Sequence, residues 1–151
     1  MKIMRLATVA LVLGLNSCSV LAEPEITGSY FAMIVSDIEV SSDWYESALG
    51  LTQTTRITEV GRYDVINLSG NGIFVELIQL VDAMDRPDGR VEGPFKVGML
   101  VDDINIFVAS LPEHIDAPTV LDDERNGLFL LQLRDPDDQV VQVMQLRVDT
   151  K

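Results

Sequence analysis

Two stretches of the chain repeat each other at a constant offset of 66 residues. Residues 30–38 (YFAMIVSDI) align with 96–104 (KVGMLVDDI), and residues 73–80 (IFVELIQL) align with 139–146 (QVVQVMQL). Because one offset fits both pairs, a whole structural unit is duplicated and not a short motif. A duplicated unit builds a pseudo-symmetric molecule. A cleft between its halves is then lined by equivalent positions from each.

Each unit has the same predicted order of elements: strand, helix, strand, strand, strand. β-branched and aromatic residues bounded by glycine-containing turns predict the strands, and apolar residues at helical spacing predict the helices. In the first unit the strands are expected at 29–35, 52–58, 62–68 and 73–80, with a helix at 40–49. In the second unit the strands are expected at 95–101, 119–122, 127–133 and 139–146, with a helix at 104–111. Asp37 and Asp103 are expected to cap the two helices.

The first 22 residues have the pattern of a secretory signal peptide. Lys2 and Arg5 give a basic start, residues 6–15 are almost wholly apolar, and cleavage is expected after Ala22. The apolar run is shorter than the roughly 20 residues that a bilayer-spanning helix needs. We therefore expect an exported protein, periplasmic or secreted. The alternative is a lipoprotein signal that ends before Cys18 and leaves the protein lipid-anchored through that residue.

Charge narrows the class of partner. Without the first 22 residues the chain has 9 basic and 24 acidic residues, a formal charge of −15. Such a field repels nucleic acid and anionic lipid surfaces, so we expect neither as a partner. Cys18 is the only cysteine, so the exported domain has no disulfide and no thiolate metal site.

Five segments resemble the vicinal oxygen chelate superfamily, which includes glyoxalases, bleomycin-resistance proteins and extradiol dioxygenases. They are 32–38 (AMIVSDI), 44–51 (WYESALGL), 75–77 (VEL), 97–104 (VGMLVDDI) and 134–138 (RDPDD). The resemblance implies an α+β fold in which tandem βαβββ modules form a cupped mixed sheet. It implies a single domain at 28–147, made of modules 28–81 and 94–147. In relatives the two modules cup either within one chain or between two chains of a homodimer, and for this chain both arrangements stay open.

The metalloenzymes of this superfamily hold a divalent ion with residues of the first and last strands of each module. Carried over to this chain, those positions are Tyr30, Glu76, Lys96 and Gln142. Only Glu76 is a good metal ligand, since Lys96 brings an ammonium and the amide of Gln142 is a weak donor. We therefore expect no cofactor, with Glu76 as a ligand only if a divalent metal is bound. The single histidine, His114, follows the second helix and is expected in a surface loop.

The same four residues are polar in otherwise apolar strands, and we expect them to form a small-molecule site. A carboxylate, an ammonium, an amide and a phenol around an apolar bowl match the composition of a ligand cleft. Glu76 and Lys96 are expected to pair as ions where relatives bind a metal, and Arg62, Tyr63 and Gln132 are candidates to extend the site. Binding of a small organic molecule is the preferred function. The alternatives are a glyoxalase-like lyase or isomerase, metal-assisted or with Glu76 as general base, and a non-catalytic accessory or assembly protein.

Overall fold

A computed structural model describes residues 30–85, 93–116 and 118–147. The first module contains strand β1 (Phe31–Ile34), helix α1 (Ile38–Leu49) and strands β2 (Thr52–Glu59), β3 (Tyr63–Gly70) and β4 (Ile73–Leu80). The second contains strand β5 (Lys96–Leu100), helix α2 (Ile104–Ser110) and strands β6 (Leu121–Asp123), β7 (Leu128–Arg134) and β8 (Val140–Leu146). The predicted signal peptide lies outside the described residues. None of the described helices is long and apolar enough to cross a membrane.

The strands form two four-stranded mixed sheets with the same topology. Their orders are β1-β4-β3-β2 and β5-β8-β7-β6. In each sheet the first strand pairs parallel to the last, and the remaining pairs are antiparallel. The prediction of an α+β fold built from tandem βαβββ modules is therefore confirmed. The two edge strands β1 and β5 do not pair with each other, so the sheet is interrupted between the modules.

Local sequence chemistry explains where the helices begin and end. The carboxylate of Asp37 accepts hydrogen bonds from the backbone N–H groups of Glu39 and Val40, and Asp103 caps α2 in the same way. These bonds satisfy amide donors that have no partner within the first turn of a helix. Gly50 ends α1 with a φ of 63°, a left-handed conformation that glycine adopts without strain. Helix α1 begins two residues earlier than the apolar periodicity predicts, because the cap is Asp37.

Alternation along the strands separates two faces of each sheet. Val75 and Leu77 of β4 are fully buried, as are Ile66 and Leu68 opposite them on β3. The buried cluster also contains α1 residues and their counterparts in the second module, so this face of both sheets packs against the helices. The residues between them, such as Glu76, point to the opposite face, here called the open face.

A buried tyrosine joins the two modules. The hydroxyl of Tyr45, on α1, donates a hydrogen bond of 2.9 Å to the carboxylate of Asp135, in the turn between β7 and β8. Two residues later, the carboxylate of Asp137 accepts from the backbone N–H of Ser36 at 3.1 Å, just before α1. Ser41 adds a hydroxyl contact of 3.4 Å to Asp137. We call these contacts the latch, because they attach the turn of the second module to the helix of the first.

Burial changes the pKa values of the two groups in the latch, the carboxyl of Asp135 and the hydroxyl of Tyr45. It raises the pKa of the Asp135 carboxyl above its ordinary range, while hydrogen bonds from the Gln139 amide and the Tyr45 hydroxyl act in the opposite direction. Burial, followed by the nearby Asp135 charge, also raises the pKa of Tyr45, so its hydroxyl stays a donor. The latch is therefore a neutral donor on a carboxylate that has little water around it.

We predict that Tyr45→Phe lowers the free energy of unfolding by about 1–3 kcal/mol at pH 7. The substitution leaves the ring in the core but removes the donor from a buried carboxylate, which is the costly way to break a hydrogen bond. Urea denaturation followed by circular dichroism measures the change. Tyr63→Phe is the matched control, because the Tyr63 hydroxyl makes no hydrogen bond within the described part of the chain and its loss should be nearly silent.

The loss in Tyr45→Phe should also depend on pH. A carboxyl with a raised pKa keeps its proton to higher pH in the folded chain than in the unfolded one, so stability falls as pH rises from its ordinary value of 3.8 through the folded pKa. Removing the Tyr45 donor raises the folded pKa of Asp135 further. The difference between Tyr45→Phe and wild type should therefore grow across that window and then level off. A difference that is constant with pH would contradict the assignment.

Candidate functional site

The four predicted site positions all lie on the open face. Glu76 alternates with buried Val75 and Leu77 in β4, and Gln142 alternates with buried Val141 and Val143 in β8. Lys96 opens β5 and shares its face with Gly98, the register partner of Gln142. Tyr30 directly precedes β1, one step beyond the pair formed by Phe31 and Val75. The alternation assumed from the sequence is therefore the one observed.

Lys96 and Gln142 form the polar centre of the second module. The Lys96 ammonium donates a hydrogen bond of 2.6 Å to the side-chain oxygen of Gln142, which also accepts from the amide of Gln132 at 3.1 Å. The nitrogen of the Gln142 side chain contacts the sulfur of Met144 at 2.9 Å. Gln142 is itself only 6% exposed. The buried amide of Gln142 thus holds the Lys96 ammonium in place. The remaining N–H groups of the ammonium are available to a ligand.

The predicted ion pair between Glu76 and Lys96 is wrong. Lys96 bonds to Gln142, its diagonal neighbour on the adjacent strand, and none of the ion pairs between described residues includes Glu76. Glu76 belongs to the other sheet, and β1 lies between it and the second module. Gln142 is on the strand that pairs directly with the strand of Lys96, which puts it within hydrogen-bond reach.

Asn67 accompanies Glu76 on the open face and was not singled out by the sequence. It is the register partner of Glu76 on β3, and its amide nitrogen donates a hydrogen bond of 2.7 Å to the hydroxyl of Thr55. Its amide oxygen is buried and has no hydrogen-bond partner. Such an atom is rare in folded proteins and marks a place where a donor is missing. The sequence did contain a feature that could have identified Asn67 as a site residue, since it is a polar residue inside an otherwise apolar strand.

Large apolar side chains surround these polar groups. Tyr30 is 67% exposed and packs edge-on against Phe74, with ring centroids 5.9 Å apart. Further exposed apolar residues on the open face are Ile34, Ile57, Leu100 and Leu146. Apolar surface that faces water in this quantity, next to a few placed polar groups, is characteristic of an interaction site.

A cleft of about 460 Å³ separates the two modules. Ala32 and Ile34 of β1 form one wall, and Lys96 and Val140 of the second sheet form the other. Ala32 is the register partner of Glu76, so the carboxylate lies one strand behind the first wall. The structure therefore brings Lys96 and Gln142 into contact and places Tyr30 and Glu76 on the far side of the cleft.

Two further candidates from the sequence do not join the site. Arg62 lies in the hairpin between β2 and β3 and forms an ion pair of 2.7 Å with Glu59. His114 is exposed after α2, as expected, next to the acidic residues of α1. Tyr63 and Gln132 lie on the open face, Tyr63 at the edge near Glu59 and Gln132 in contact with Gln142.

Comparison with solved structures identifies the fold, although no protein-family model and no curated protein matches the sequence. A glyoxylase/bleomycin resistance protein/dioxygenase domain from Frankia sp. EAN1pec is 17% identical, with a TM-score of 0.68 over 83% of this chain and 100% of that one. The chain has the vicinal oxygen chelate fold. The trypanothione-dependent glyoxalase I of Leishmania major is 18% identical, with a TM-score of 0.58 over 77% of this chain and 84% of that one.

A third structure with the vicinal oxygen chelate fold is the fosfomycin resistance protein FosX from Listeria monocytogenes, determined with Mn(II) and sulfate. It is 8% identical, with a TM-score of 0.59 over 83% of this chain and 97% of that one. Identities at this level establish the shared fold alone. Because one fold carries unrelated activities, the function must be argued from the site of this chain.

The four predicted site positions differ in the donor atoms that they could offer a divalent ion. Lys96 places a positive charge on Gln142, so the amide oxygen of Gln142 is engaged and a second cation would be repelled. Glu76 is the one carboxylate among the four. In the parts of the chain that the structure describes, no group of three or more His, Cys, Asp or Glu side chains is arranged to hold a metal.

We predict a measurable coupling between Lys96 and Gln142. In a double-mutant cycle of Lys96→Met and Gln142→Met, the two changes in the free energy of unfolding should differ from additivity by about 0.5–3 kcal/mol, as expected for groups in direct contact. The same cycle with Lys96→Met and Glu76→Gln is the control and should be additive within about 0.5 kcal/mol. Coupling in the control cycle and none in the first would restore the pairing expected from the sequence.

Proposed function

We propose that this chain binds a small organic molecule on the open face, in and beside the cleft between its modules, without a bound metal. The observation that carries the proposal is the Lys96 ammonium held at 2.6 Å by the buried amide of Gln142. A long charged side chain is normally free to move, and ordering it costs conformational entropy. A lysine that is already ordered by a buried partner is prepared to receive an anionic group.

The arrangement of charges favours a ligand with two different polar ends. Lys96 offers an ammonium to a carboxylate or a similar anion. On the other side of the cleft, Glu76 makes no hydrogen bond with any described residue, and the oxygen of Asn67 has no donor. Both are acceptors and suit an amine or a hydroxyl. Between the two ends, the exposed apolar residues suit a hydrocarbon or aromatic body.

A lyase or isomerase of the glyoxalase type is the second candidate. It is favoured by Glu76, a carboxylate on the open face that has no partner among the described residues and stands where a general base would be in reach of a bound carbon acid. The shared fold with a glyoxalase I supports this reading only at the level of architecture. An accessory role without a ligand, and assembly into a homodimer, also remain predictions from the sequence.

We propose that the protein acts outside the cytoplasm, in the periplasm or as a secreted protein. The support is the pattern of the first 22 residues, with a basic start, an apolar run and small residues before Ala22. The strongly acidic composition of the remaining chain agrees with a protein that must stay soluble after export.

We predict that a thermal-shift screen finds a stabilising ligand among small zwitterions and carboxylates with an apolar body. At a concentration 100 times its Kd, a ligand of the folded state raises the free energy of unfolding by about 2.7 kcal/mol. Lys96→Met should weaken the best ligand by roughly ten- to hundredfold, because hydrogen bonds to charged groups contribute about 1.5–3 kcal/mol. Arg62→Met removes an exposed cation away from the cleft and should leave the affinity unchanged.

Metal analysis separates the two candidate functions. The protein is incubated with Ni, Zn, Mn or Fe, desalted, and analysed for retained metal alongside Glu76→Gln. Stoichiometric metal that is lost in Glu76→Gln would favour the enzyme and count against metal-free binding.

Glycopeptide drugs are included in the thermal-shift screen. A ligand whose affinity is unchanged in Lys96→Met would overturn the proposed site.

We predict that the protein recovered from the periplasm or medium of a bacterial host begins at Glu23. N-terminal sequencing and intact mass measure this directly. A mature chain that begins at a lipid-modified Cys18 would establish the anchored alternative instead. Cys18→Ser is the control, since it should leave export and cleavage after Ala22 unchanged if the first expectation holds.

A further inference from the structure

The latch has a counterpart elsewhere in the molecule, because the chain is duplicated. Adding or subtracting the 66-residue offset converts each member into the residue at the equivalent position of the other module. The counterparts of Tyr45, Asp135, Asp137, Ser36 and Ser41 are Leu111, Ser69, Asn71, Asp102 and Phe107. The position where a helix meets the turn of the other module thus occurs twice. At the second position, Leu111 and Phe107 replace the hydroxyl-bearing residues Tyr45 and Ser41.

The second joint is open. Leu111 has no hydroxyl to bridge the modules, and the amide of Asn71 donates at 3.1 Å to the carbonyl of Leu49 within its own module. Within the described ranges 30–85, 93–116 and 118–147, the carboxylate of Asp102 makes no hydrogen bond or ion pair. Where the latch joins helix and turn through hydrogen bonds, its counterpart therefore leaves a space.

That space is a cavity of about 270 Å³ between the modules. Its walls include Leu49 and Ile73 from the first module and Met99, Phe107 and Val143 from the second. Ile73, Met99 and Val143 point to the helix-facing side of the sheets, and Leu100 adds one residue of the open face. The cavity thus lies at the edge between the modules, and its lining does not include Lys96 or Gln142. Asn71 and Asp102 contribute the polar part of the lining.

We propose that this cavity binds a small ammonium compound with a compact apolar body. An apolar protein cavity of about 150 Å³ accommodates benzene, so 270 Å³ has room for one ring and a short amine. Asp102 offers an unpaired carboxylate, and Asn71 keeps its amide oxygen as an acceptor. Both require a donor on the ligand. The negative charge of the whole chain adds attraction for a cation.

The ligand would act as a substitute for the missing latch. It would lie beside Phe107, the counterpart of Ser41, and supply a donor to Asn71 and Asp102, the counterparts of Asp137 and Ser36. A molecule that contacts Leu49 and Phe107 together touches both modules, so it should stabilise their association. This site is independent of the proposed ligand on the open face.

The test uses phenethylamine as the probe and the methionine methyl groups as reporters. Methyl-labelled methionine is introduced into the full exported chain and followed by NMR during titration. Met99 lines the cavity, Met33 occupies the equivalent position beside the latch, and Met144 contacts Gln142 on the open face. The expected result is a saturable shift of the Met99 methyl with little change at Met33 and Met144. Phenylacetate, with the same ring and opposite charge, should not produce it.

Two substitutions with equal charge change locate the interaction. Asp102→Asn should weaken phenethylamine about two- to fivefold, the size expected for one partly exposed ion pair. Asp43→Asn, on the outer side of α1, should change the affinity less than about twofold, because it alters only the net charge. Lys96→Met should also have no effect, which separates this site from the proposed function.

Several outcomes would overturn the proposal. These are an unmoved Met99 methyl, a shift of equal size at Met33 or Met144, equal binding of phenylacetate, and equal effects of Asp102→Asn and Asp43→Asn. A Met99 shift that depends on protein concentration without any ligand would instead mean that a second copy of the chain covers the cavity.

Discussion

The hydrogen bond between Tyr45 and Asp135 connects the two halves of the molecule at a point where no strand ladder does so. The sheets have separate hydrogen-bonding networks, and β1 and β5 meet only across a cleft. The relative position of the modules therefore depends on the apolar core that they share and on the contacts of the β7–β8 turn with α1. Burial raises the pKa of the Asp135 carboxyl, and the tyrosine donor, together with the backbone N–H groups of Gln139 and Asp137, acts in the opposite direction.

The distance between the polar groups on the open face depends on how the latch and the shared core hold the modules together. Lys96 and Gln142 form one polar group, and Glu76 with Asn67 forms another, each built within its own sheet. Their separation is set by the docking of the modules and not by any direct bond between them. On the second sheet the polar group contains an ammonium that is hydrogen-bonded to a buried amide.

Much of the fold could be predicted from the sequence, because the evidence for it is local. The repeat, the caps at Asp37 and Asp103 and the glycine-containing turns each act over a few residues, and they agree with one another. The positions of Tyr30, Glu76, Lys96 and Gln142 on one face followed from strand alternation. Their partners did not follow, since Lys96 could reach either Gln142 or Glu76 until the interruption between β1 and β5 was known. The latch was hidden for the same reason. Tyr45 lies in the helix predicted at 40–49 and Asp135 lies between the strands predicted at 127–133 and 139–146, and only the docking of the modules brings them together.

The unpaired edges of β1 and β5 have a mechanical consequence. The contacts that connect the modules lie on the helix side, whereas the two edge strands share no main-chain hydrogen bonds. A small change in the geometry of these contacts would therefore alter the width of the gap without breaking a main-chain hydrogen bond of either sheet. For the proposed ligand, the width of the cleft is then the dimension that hydrogen bonds of the protein fix least, and selectivity would come mainly from the polar groups at its two sides.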